Sequence, residues 1–205
     1  MPDARRLVAR RPLRTIRPAD LDGVFANPRA TLQRLERDGV VHRLAYGYYC
    51  EVPADADPAT WLPSIEAAAM GVALARGAPS EPVLMGMSAA RVHGALPRAV
   101  ATATVAVAAG GRRPVHLVDR AGTIRFVERD TAALDAERVR TDLGAALVTT
   151  PEQTVLDVAR FRSADPEAPA VVRALWPRVD RVQLVQLARS SRGVAALRRA
   201  EAMAS

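Results

Sequence analysis

Gln33, Arg34 and Arg37 are the residues whose types and spacing most clearly suit a specific chemistry. Projected as a helix, residues 28–38 place these three side chains within an arc of about 100°, opposite the leucines that would face a core. In the major groove of DNA, arginine pairs with guanine and glutamine with adenine through two hydrogen bonds. We therefore expect this helix face to contact bases.

Basic and aromatic residues flank this face in the sequence. Arg29 lies in the first turn of the predicted helix, where free amides and the helix dipole favour a phosphate. His42, Arg43 and Tyr46 come after the helix, and we expect them to make minor-groove or phosphate contacts. These four residues extend the predicted DNA-binding surface beyond the helix.

The first 17 residues form a basic arm. They hold six arginines against one aspartate, a local charge of +5. We expect this arm to add salt-sensitive, sequence-independent affinity for phosphates. The residues expected to supply that affinity are Arg5, Arg6, Arg10, Arg11 and Arg14. For any single one of these positions the alternative is a solvated surface arginine without a ligand.

A capped helix must present the base-contacting residues. Residues 18–25 begin with a proline and predict a short helix. Asn27 followed by Pro28 then predicts the start of a second helix, because asparagine caps free amides and proline suits the first turn. Gly39 is expected to end that helix in the left-handed conformation.

A hairpin follows this second helix. Residues 40–44 and 48–52 predict two strands joined by a turn that contains glycine. A short helix, a capped helix and a hairpin are the order of a winged helix-turn-helix, with 28–38 as recognition helix and 40–52 as wing. The alternative is a small α/β unit that exposes its arginines to solvent only.

Residues 53–58 are rich in proline and aspartate and predict a domain boundary. The sequence then predicts a longer helix at residues 60–76 and a shorter one at 88–96. Strands are predicted at 102–107, 113–118, 123–128 and 146–148. A helix at 151–161 and a helical stretch at 163–205 complete the predicted elements. We therefore predict an α+β protein. Residues 1–52 would be the DNA-binding winged helix-turn-helix, and residues 58–205 a larger mixed α/β domain with a helical C-terminus.

Composition excludes several kinds of chemistry. All 29 basic residues are arginines and the net charge is +7, so lysine-dependent nucleotide binding, Schiff-base chemistry and the ordinary kinase lysine are excluded. One cysteine and three histidines predict no metal set and no internal disulfide. We expect no cofactor, no signal segment, no membrane span and a cytoplasmic location.

A few residues outside the first domain are weighed as sites, and each has a simpler structural interpretation. His93 is expected to end a helix and to bond to backbone, although catalysis is the alternative. Asp157 is expected to pair with Arg160 or Arg162, although a catalytic or metal-binding acid is the alternative. Residues 110–113 hold two glycines and two arginines, which are able to cradle a phosphate but are more typical of an exposed loop.

Three motifs in order resemble one family. They are LAYGYY at 44–49, MSAARVHGAL at 87–96 and VTTPEQTVLDVA at 148–159. In this order and at these separations they resemble the AbiE-type antitoxins, the AbiEi family of type IV toxin–antitoxin pairs. The resemblance covers residues 12–162.

The resemblance implies a two-part antitoxin. Its winged helix would bind repeats in its own promoter and repress the operon, as a homodimer or as cooperative monomers. Its larger antitoxin domain would neutralise a cognate nucleotidyltransferase toxin. How it does so stays open: occlusion by binding is one route. Another is modification of the toxin by an atypical serine/threonine protein kinase, which would need ATP and magnesium, so enzymatic activity stays open too.

Overall fold

The helix that begins at Pro28 shows how local sequence positions the candidate surface. In the structure, a computed structural model, the Asn27 side-chain oxygen accepts a hydrogen bond from the Ala30 amide at 3.1 Å. The helix runs over Pro28–Arg37, and its two leucines are buried as predicted. Gly39 follows with φ +69°, a conformation that glycine adopts without a steric cost.

The structure describes residues 4–77, 79–109, 113–160 and 165–205, and it confirms the α+β class. The helices are α1 (Ala4–Ala9), α2 (Pro28–Arg37), α3 (Ile65–Arg76), α4 (Met87–Val92), α5 (Pro151–Arg160), α6 (Ala168–Leu175), α7 (Arg181–Ser190) and α8 (Val194–Ala204). The strands are β1 (Thr15–Ile16), β2 (Val41–Ala45), β3 (Tyr48–Glu51), β4 (Val83–Leu84), β5 (Thr102–Val107), β6 (Val115–His116), β7 (Thr123–Glu128), β8 (Ala136–Thr141) and β9 (Gly144–Thr149). None of the helices in these ranges has the length and apolar character that crossing a membrane requires.

Three helices differ from their predicted bounds. Helix α4 covers Met87–Val92 rather than residues 88–96, because the chain leaves the helix at His93 and Gly94 follows with φ +77°. The other two differ for local reasons as well. The first lies at residues 18–25, where only Pro18–Leu21 is helical, as a 3-10 turn. The second, α3, begins at Ile65 rather than near residue 60, because Ser64 caps it by accepting a hydrogen bond from the Ala67 amide at 3.3 Å.

Two strands were missed by the sequence analysis. One is β4, a two-residue strand that is too short to show any alternation. The other is β8, whose sequence AERVRT carries three charged residues in six positions. Strand β8 lies at an edge of its sheet, where one side faces solvent and charged side chains are tolerated.

A small sheet packs on α2. Its strand order is β1-β3-β2, and both pairings are antiparallel. The side chains buried between this sheet and the helices α1 and α2 are Val8, Ile16, Leu21, Leu32, Leu35, Val41 and Tyr49. These contacts fix the hairpin β2–β3 beside α2.

The larger sheet has the order β6-β7-β5-β4-β9-β8. It is mixed, since β5 pairs with β7 and β4 with β9 in parallel, whereas the other pairs are antiparallel. Helix α3 packs on the sheet through its small side chains, in the largest apolar cluster. Helices α5 to α8 pack together in a second cluster, which confirms the predicted helical C-terminal region.

Residues on both sides of the predicted boundary at 53–58 bury one continuous set of side chains. Leu13, Leu44 and Cys50 belong to the same apolar cluster as α3 and the larger sheet. Burial raises the pKa of the Cys50 thiol to about 12. The division into 1–52 and 58–205 stays a prediction, and the structure shows that the two stretches share a core.

The contact between Thr15 and Gly71 tests this shared core. A Cβ added at Gly71 would collide with Oγ1 of Thr15, which is buried and donates a hydrogen bond to the Leu13 carbonyl at 2.8 Å. We expect Gly71→Ala to lower the free energy of unfolding by about 1–2 kcal/mol. Overpacking costs about 1–3 kcal/mol, and the better helix propensity of alanine returns part of it. Urea denaturation measures the loss.

The Thr15→Ala variant supplies the control for this prediction. In the double variant the colliding oxygen is gone, so the cost of Gly71→Ala should largely disappear. A double-mutant cycle would then show a coupling free energy of about 1 kcal/mol or more. Purely additive effects of the two substitutions would contradict the close approach of β1 to α3.

Candidate nucleic-acid interface

A groove between α2 and the β2–β3 hairpin gathers four of the predicted DNA-contacting residues. Arg29 and Gln33 line it from the helix, and Arg43 and Tyr46 line it from the hairpin. Arg17, at the end of β1, lines the same groove. We call this feature the α2–hairpin groove.

Arg43 is held in the groove by aromatic side chains. Its guanidinium carbon lies 4.8 Å from the centre of the Tyr46 ring and 5.8 Å from that of Tyr49. Tyr49 is buried under the hairpin, whereas Tyr46 is 78% exposed at the turn. Burial raises the pKa of the Tyr49 hydroxyl, with Arg43 acting against that rise. Stacking orients a guanidinium through its faces and leaves its N–H donors for a phosphate or a base.

Arg17 is one of the six arginines of the basic arm but was not among the predicted contact residues. Arg17 contacts Asp20 through an ion pair of 3.4 Å, and its backbone amide donates to the same carboxylate at 2.8 Å. Arg17 is therefore the residue at which the 3-10 turn begins, and its contact with Asp20 fixes its position beside the groove. The clue in the sequence was the position of Arg17 immediately before Pro18.

Arg34 and Arg37 are placed differently from the groove residues. Both are exposed on α2. Arg37 lines a second depression, on the side of the helix that faces His42 and Asp119, and Arg34 lines neither depression. The structure therefore joins Arg29 and Gln33 to the α2–hairpin groove, whereas Arg37 shares the second depression with His42 and Arg43 of the hairpin.

His42 has a partner inside the protein. Its Nε2 donates a hydrogen bond to Oδ2 of Asp119 at 2.7 Å, and its ring meets that of Trp61 edge to face at 6.1 Å. Burial acts to raise the pKa of the Asp119 carboxyl, but hydrogen bonds and charge from Arg120 and His42 outweigh it, and the pKa falls to about 2. We therefore leave His42 out of the interface that we propose below.

The basic arm is folded where the structure describes it. Residues 4–9 form α1, because Val8 is buried against the small sheet. Arg5 and Arg14 both approach the carboxylate of Glu51, at 3.5 and 3.9 Å. Arg11 donates to the Asp20 carbonyl at 2.9 Å. Arg6 and Arg10 are exposed. Phosphate contacts by these five arginines stay predictions, and the described part of the arm would make them from a helix and a turn.

The candidate residues of the larger region mostly have structural partners. His93 is almost fully buried, and its Nε2 donates to the Thr149 carbonyl at 2.7 Å, as the expectation of a backbone partner requires. His116 lies 3.2 Å from the Thr123 hydroxyl. Three of the four residues of the candidate phosphate loop at 110–113, residues 110–112, lie outside the described residues. Within the described ranges, no group of three or more histidine, cysteine or acidic side chains is arranged to hold a metal ion.

Asp157 is the most perturbed acid of the larger region. It is buried in α5, and Gln153 Nε2 donates to its Oδ1 at 3.0 Å. The expected partner Arg160 instead donates to Ser191 at 3.0 Å, and Arg162 lies outside the described residues. Burial raises the pKa of the Asp157 carboxyl to about 6, against the hydrogen bond from Gln153. Asp157 is thus a buried acid within the cluster of helices α5 to α8, with a side-chain amide as its hydrogen-bond partner.

The raised pKa of Asp157 predicts a pH dependence of stability. The folded protein holds this proton more tightly than the unfolded chain, whose pKa is near 3.8. Stability from this group is therefore fully present below about pH 4 and is lost as the pH rises through about 6, by about 3 kcal/mol at most. We expect Asp157→Asn to remove this loss and to stabilise the protein at pH 7, because asparagine still accepts the bond from Gln153.

Urea unfolding between pH 4 and pH 7 measures this effect, with Asp55→Asn as the control. Asp55 is exposed, so that variant should follow the wild-type pH profile. An Asp157→Asn profile that is parallel to the wild-type one would show that the buried carboxyl does not titrate as described.

Comparison with known proteins identifies no relative of this chain by family model or by curated sequence. A scan against models of protein families gives no match, and a search of curated proteins gives none either. The resemblance to AbiE-type antitoxins therefore rests on the three sequence motifs.

Proposed function

We propose that this protein is a DNA-binding transcription regulator whose residues 1–52 act as a winged helix-turn-helix. Helix α2 would be the recognition helix, and the β2–β3 hairpin the wing. The observation that carries the proposal is the α2–hairpin groove, where Arg29, Gln33, Arg43 and Tyr46 line one depression from two elements. A DNA strand that enters such a groove meets basic donors from both walls.

The two walls would contribute differently to binding. Gln33 and the exposed Arg34 lie on the helix that enters the major groove, where both side-chain types read base edges. Arg43 and Tyr46 belong to the hairpin, whose exposed tip suits a phosphate or the minor groove. Arg29 lies in the first turn of α2, where the helix dipole favours a phosphate. Phosphate contacts by these arginines make the affinity depend strongly on salt.

The biological setting that we propose comes from the resemblance. The protein would be the antitoxin of a type IV toxin–antitoxin pair, which represses its own operon and neutralises a nucleotidyltransferase toxin. The operator would be bound by a homodimer or by cooperative monomers. Neutralisation by binding and neutralisation by phosphorylation of the toxin both stay open.

Arginine substitutions test the DNA-binding proposal. We expect Arg43→Ala and Arg29→Ala each to weaken binding to a duplex from the promoter region of this chain's own gene by about tenfold or more, because each removes donors and a positive charge from the groove. Each should also reduce the slope of log affinity against log salt by about one unit. Fluorescence anisotropy at several salt concentrations measures both quantities.

Arg189→Ala is the matched control, since it removes the same charge from an exposed position on α7. It should leave both affinity and salt slope close to those of the wild type. If Arg43→Ala and Arg189→Ala bind alike, the groove is not the DNA-binding surface. The absence of any salt-sensitive binding by the wild type would contradict the proposal as a whole.

The antitoxin assignment has a separate test with the intact chain. Because residues 1–52 and 58–205 share a core, we expect a truncated protein to unfold, and a point variant is the better probe. Cells that express the toxin should still be protected by Arg43→Ala, since the groove would serve DNA and not neutralisation. Colony counts after toxin induction measure this, and loss of protection at an unchanged protein level would contradict the division of labour.

A further inference from the structure

The outer edge of the hairpin is attached to the larger region. The Val118 amide donates to the Leu44 carbonyl at 3.0 Å, and Ala45 and Leu117 form an antiparallel bridge. The Leu117 amide also donates to the Gly122 carbonyl at 2.9 Å, which closes the turn between β6 and β7. Residues 117–119, more than 70 positions along the chain, thus continue the small sheet beyond β2. We call them the brace.

A side-chain contact reinforces this backbone pairing. Oδ2 of Asp119 accepts from Nε2 of His42 at 2.7 Å. The same carboxylate accepts two bonds from Arg120, at 2.9 and 2.8 Å, and the Asp119 side chain is only 4% exposed. Trp61 packs edge-on against His42 from the segment that leads to α3. The His42 ring is therefore held by two partners, Asp119 and Trp61.

The brace and the groove meet at neighbouring residues of the same strand. Successive side chains of a strand point to opposite faces, so His42 and Arg43 project in opposite directions from β2. His42 meets the brace, whereas Arg43 lines the α2–hairpin groove and also borders the depression that Val118 and Asp119 line. Ala45, which is paired to the brace, directly precedes Tyr46 at the tip. A rotation of the strand that released His42 would swing Arg43 and Tyr46 out of line with α2.

We infer that Asp119 is a positioning residue for the α2–hairpin groove, which acts through His42 to hold Arg43 and Tyr46 opposite Arg29 and Gln33. This inference rests on the proposed function, because it assigns to the larger region a control over DNA binding. Asp119 itself lies behind the hairpin and is not a DNA contact. Its removal would loosen Arg43 and Tyr46 in the free protein, and DNA binding would have to reorder them. The affinity should therefore fall, whereas the bound protein would still contact the same number of phosphates.

The test compares Asp119→Ala with Asp142→Ala in the full-length chain. Asp142 also accepts a bond that links distant segments, from the Ser64 amide at 2.7 Å, but it does not touch the hairpin or the brace. Both variants gain the same charge. We expect Asp119→Ala to bind the promoter duplex about tenfold more weakly than Asp142→Ala, with the wild-type salt slope. Amide hydrogen exchange at residues 43–48 should be faster in Asp119→Ala alone.

Asp119→Asn provides the rescue, because its amide oxygen still accepts the bond from His42. It should recover most of the affinity and of the exchange protection. If Asp119→Ala does not fold, His42→Phe takes its place, since phenylalanine keeps a ring against Trp61 and lacks the bond to Asp119. Equal affinity and equal exchange at 43–48 in the Asp119 and Asp142 variants would overturn the inference.

The two readouts separate this inference from the proposed function. If the wild type binds no DNA, the proposed function fails, and the exchange rates at 43–48 still decide whether Asp119 holds the hairpin. If the wild type binds and Arg43→Ala weakens binding, but Asp119→Ala matches its control in both readouts, the groove stands and the brace has no part in it.

Discussion

The packing of residues 13–16 against α3 is the constraint on which the rest of the structure depends. Leu13 contacts α3 and β9, and a Cβ at Gly144 would lie only 3.2 Å from its side chain. Leu13 and Arg14 have φ values of 45° and 47°, a conformation that costs L-residues roughly 1–2 kcal/mol each. Such strain persists only where surrounding contacts over-determine the backbone. Here the buried leucine and the fit of Thr15 against Gly71 supply those contacts.

The small sheet is fixed at both of its edges, and this constraint acts at one of them. In the order β1-β3-β2, the edge strand β1 lies on α3, and the other edge strand β2 is paired to residues 117–118. The face of the hairpin that carries Arg43 is therefore oriented by the larger region and not only by α2. The surface formed within residues 1–52 thus depends on a core that it shares with α3 and the larger sheet.

Charged side chains on the packed faces of the small sheet are paired, whereas Arg43 in the α2–hairpin groove is not paired with an acid among the described residues. Glu51 is buried beneath Arg5 and Arg14, and Asp119 is buried between Arg120 and His42, so basic groups on the packed faces have acidic partners. In the groove, Arg43 instead stacks on two tyrosines, an interaction that does not use its N–H donors. The groove therefore contains an arginine whose charge is balanced by stacking on aromatic rings and not by an acidic partner in the described part of the chain, on a protein of net charge +7.

Local signals in the sequence determined the elements that carry the candidate interface. Asn27, Pro28 and Gly39 act on their own neighbours, so the bounds of α2 and its buried leucines followed from the residue order alone. The same holds for the hairpin, for β5 and for the start of α5, where Thr150 caps the helix by accepting a bond from the Gln153 amide at 3.3 Å. Weak local signals failed at the short strand β4, at the charged edge strand β8 and at the start of α3.

Only the tertiary structure decided which side chains meet. Helical projection grouped Gln33 with Arg34 and Arg37, but packing of the hairpin on α2 joined Gln33 to Arg29, Arg43 and Tyr46 instead. Pairing of His42 with Asp119, 77 positions away, likewise depends on how two sheets join. Residue order specifies caps, turns and amphipathic faces because they arise within a few residues. Which faces meet is set by the burial of apolar surface over the whole chain, which no short stretch encodes.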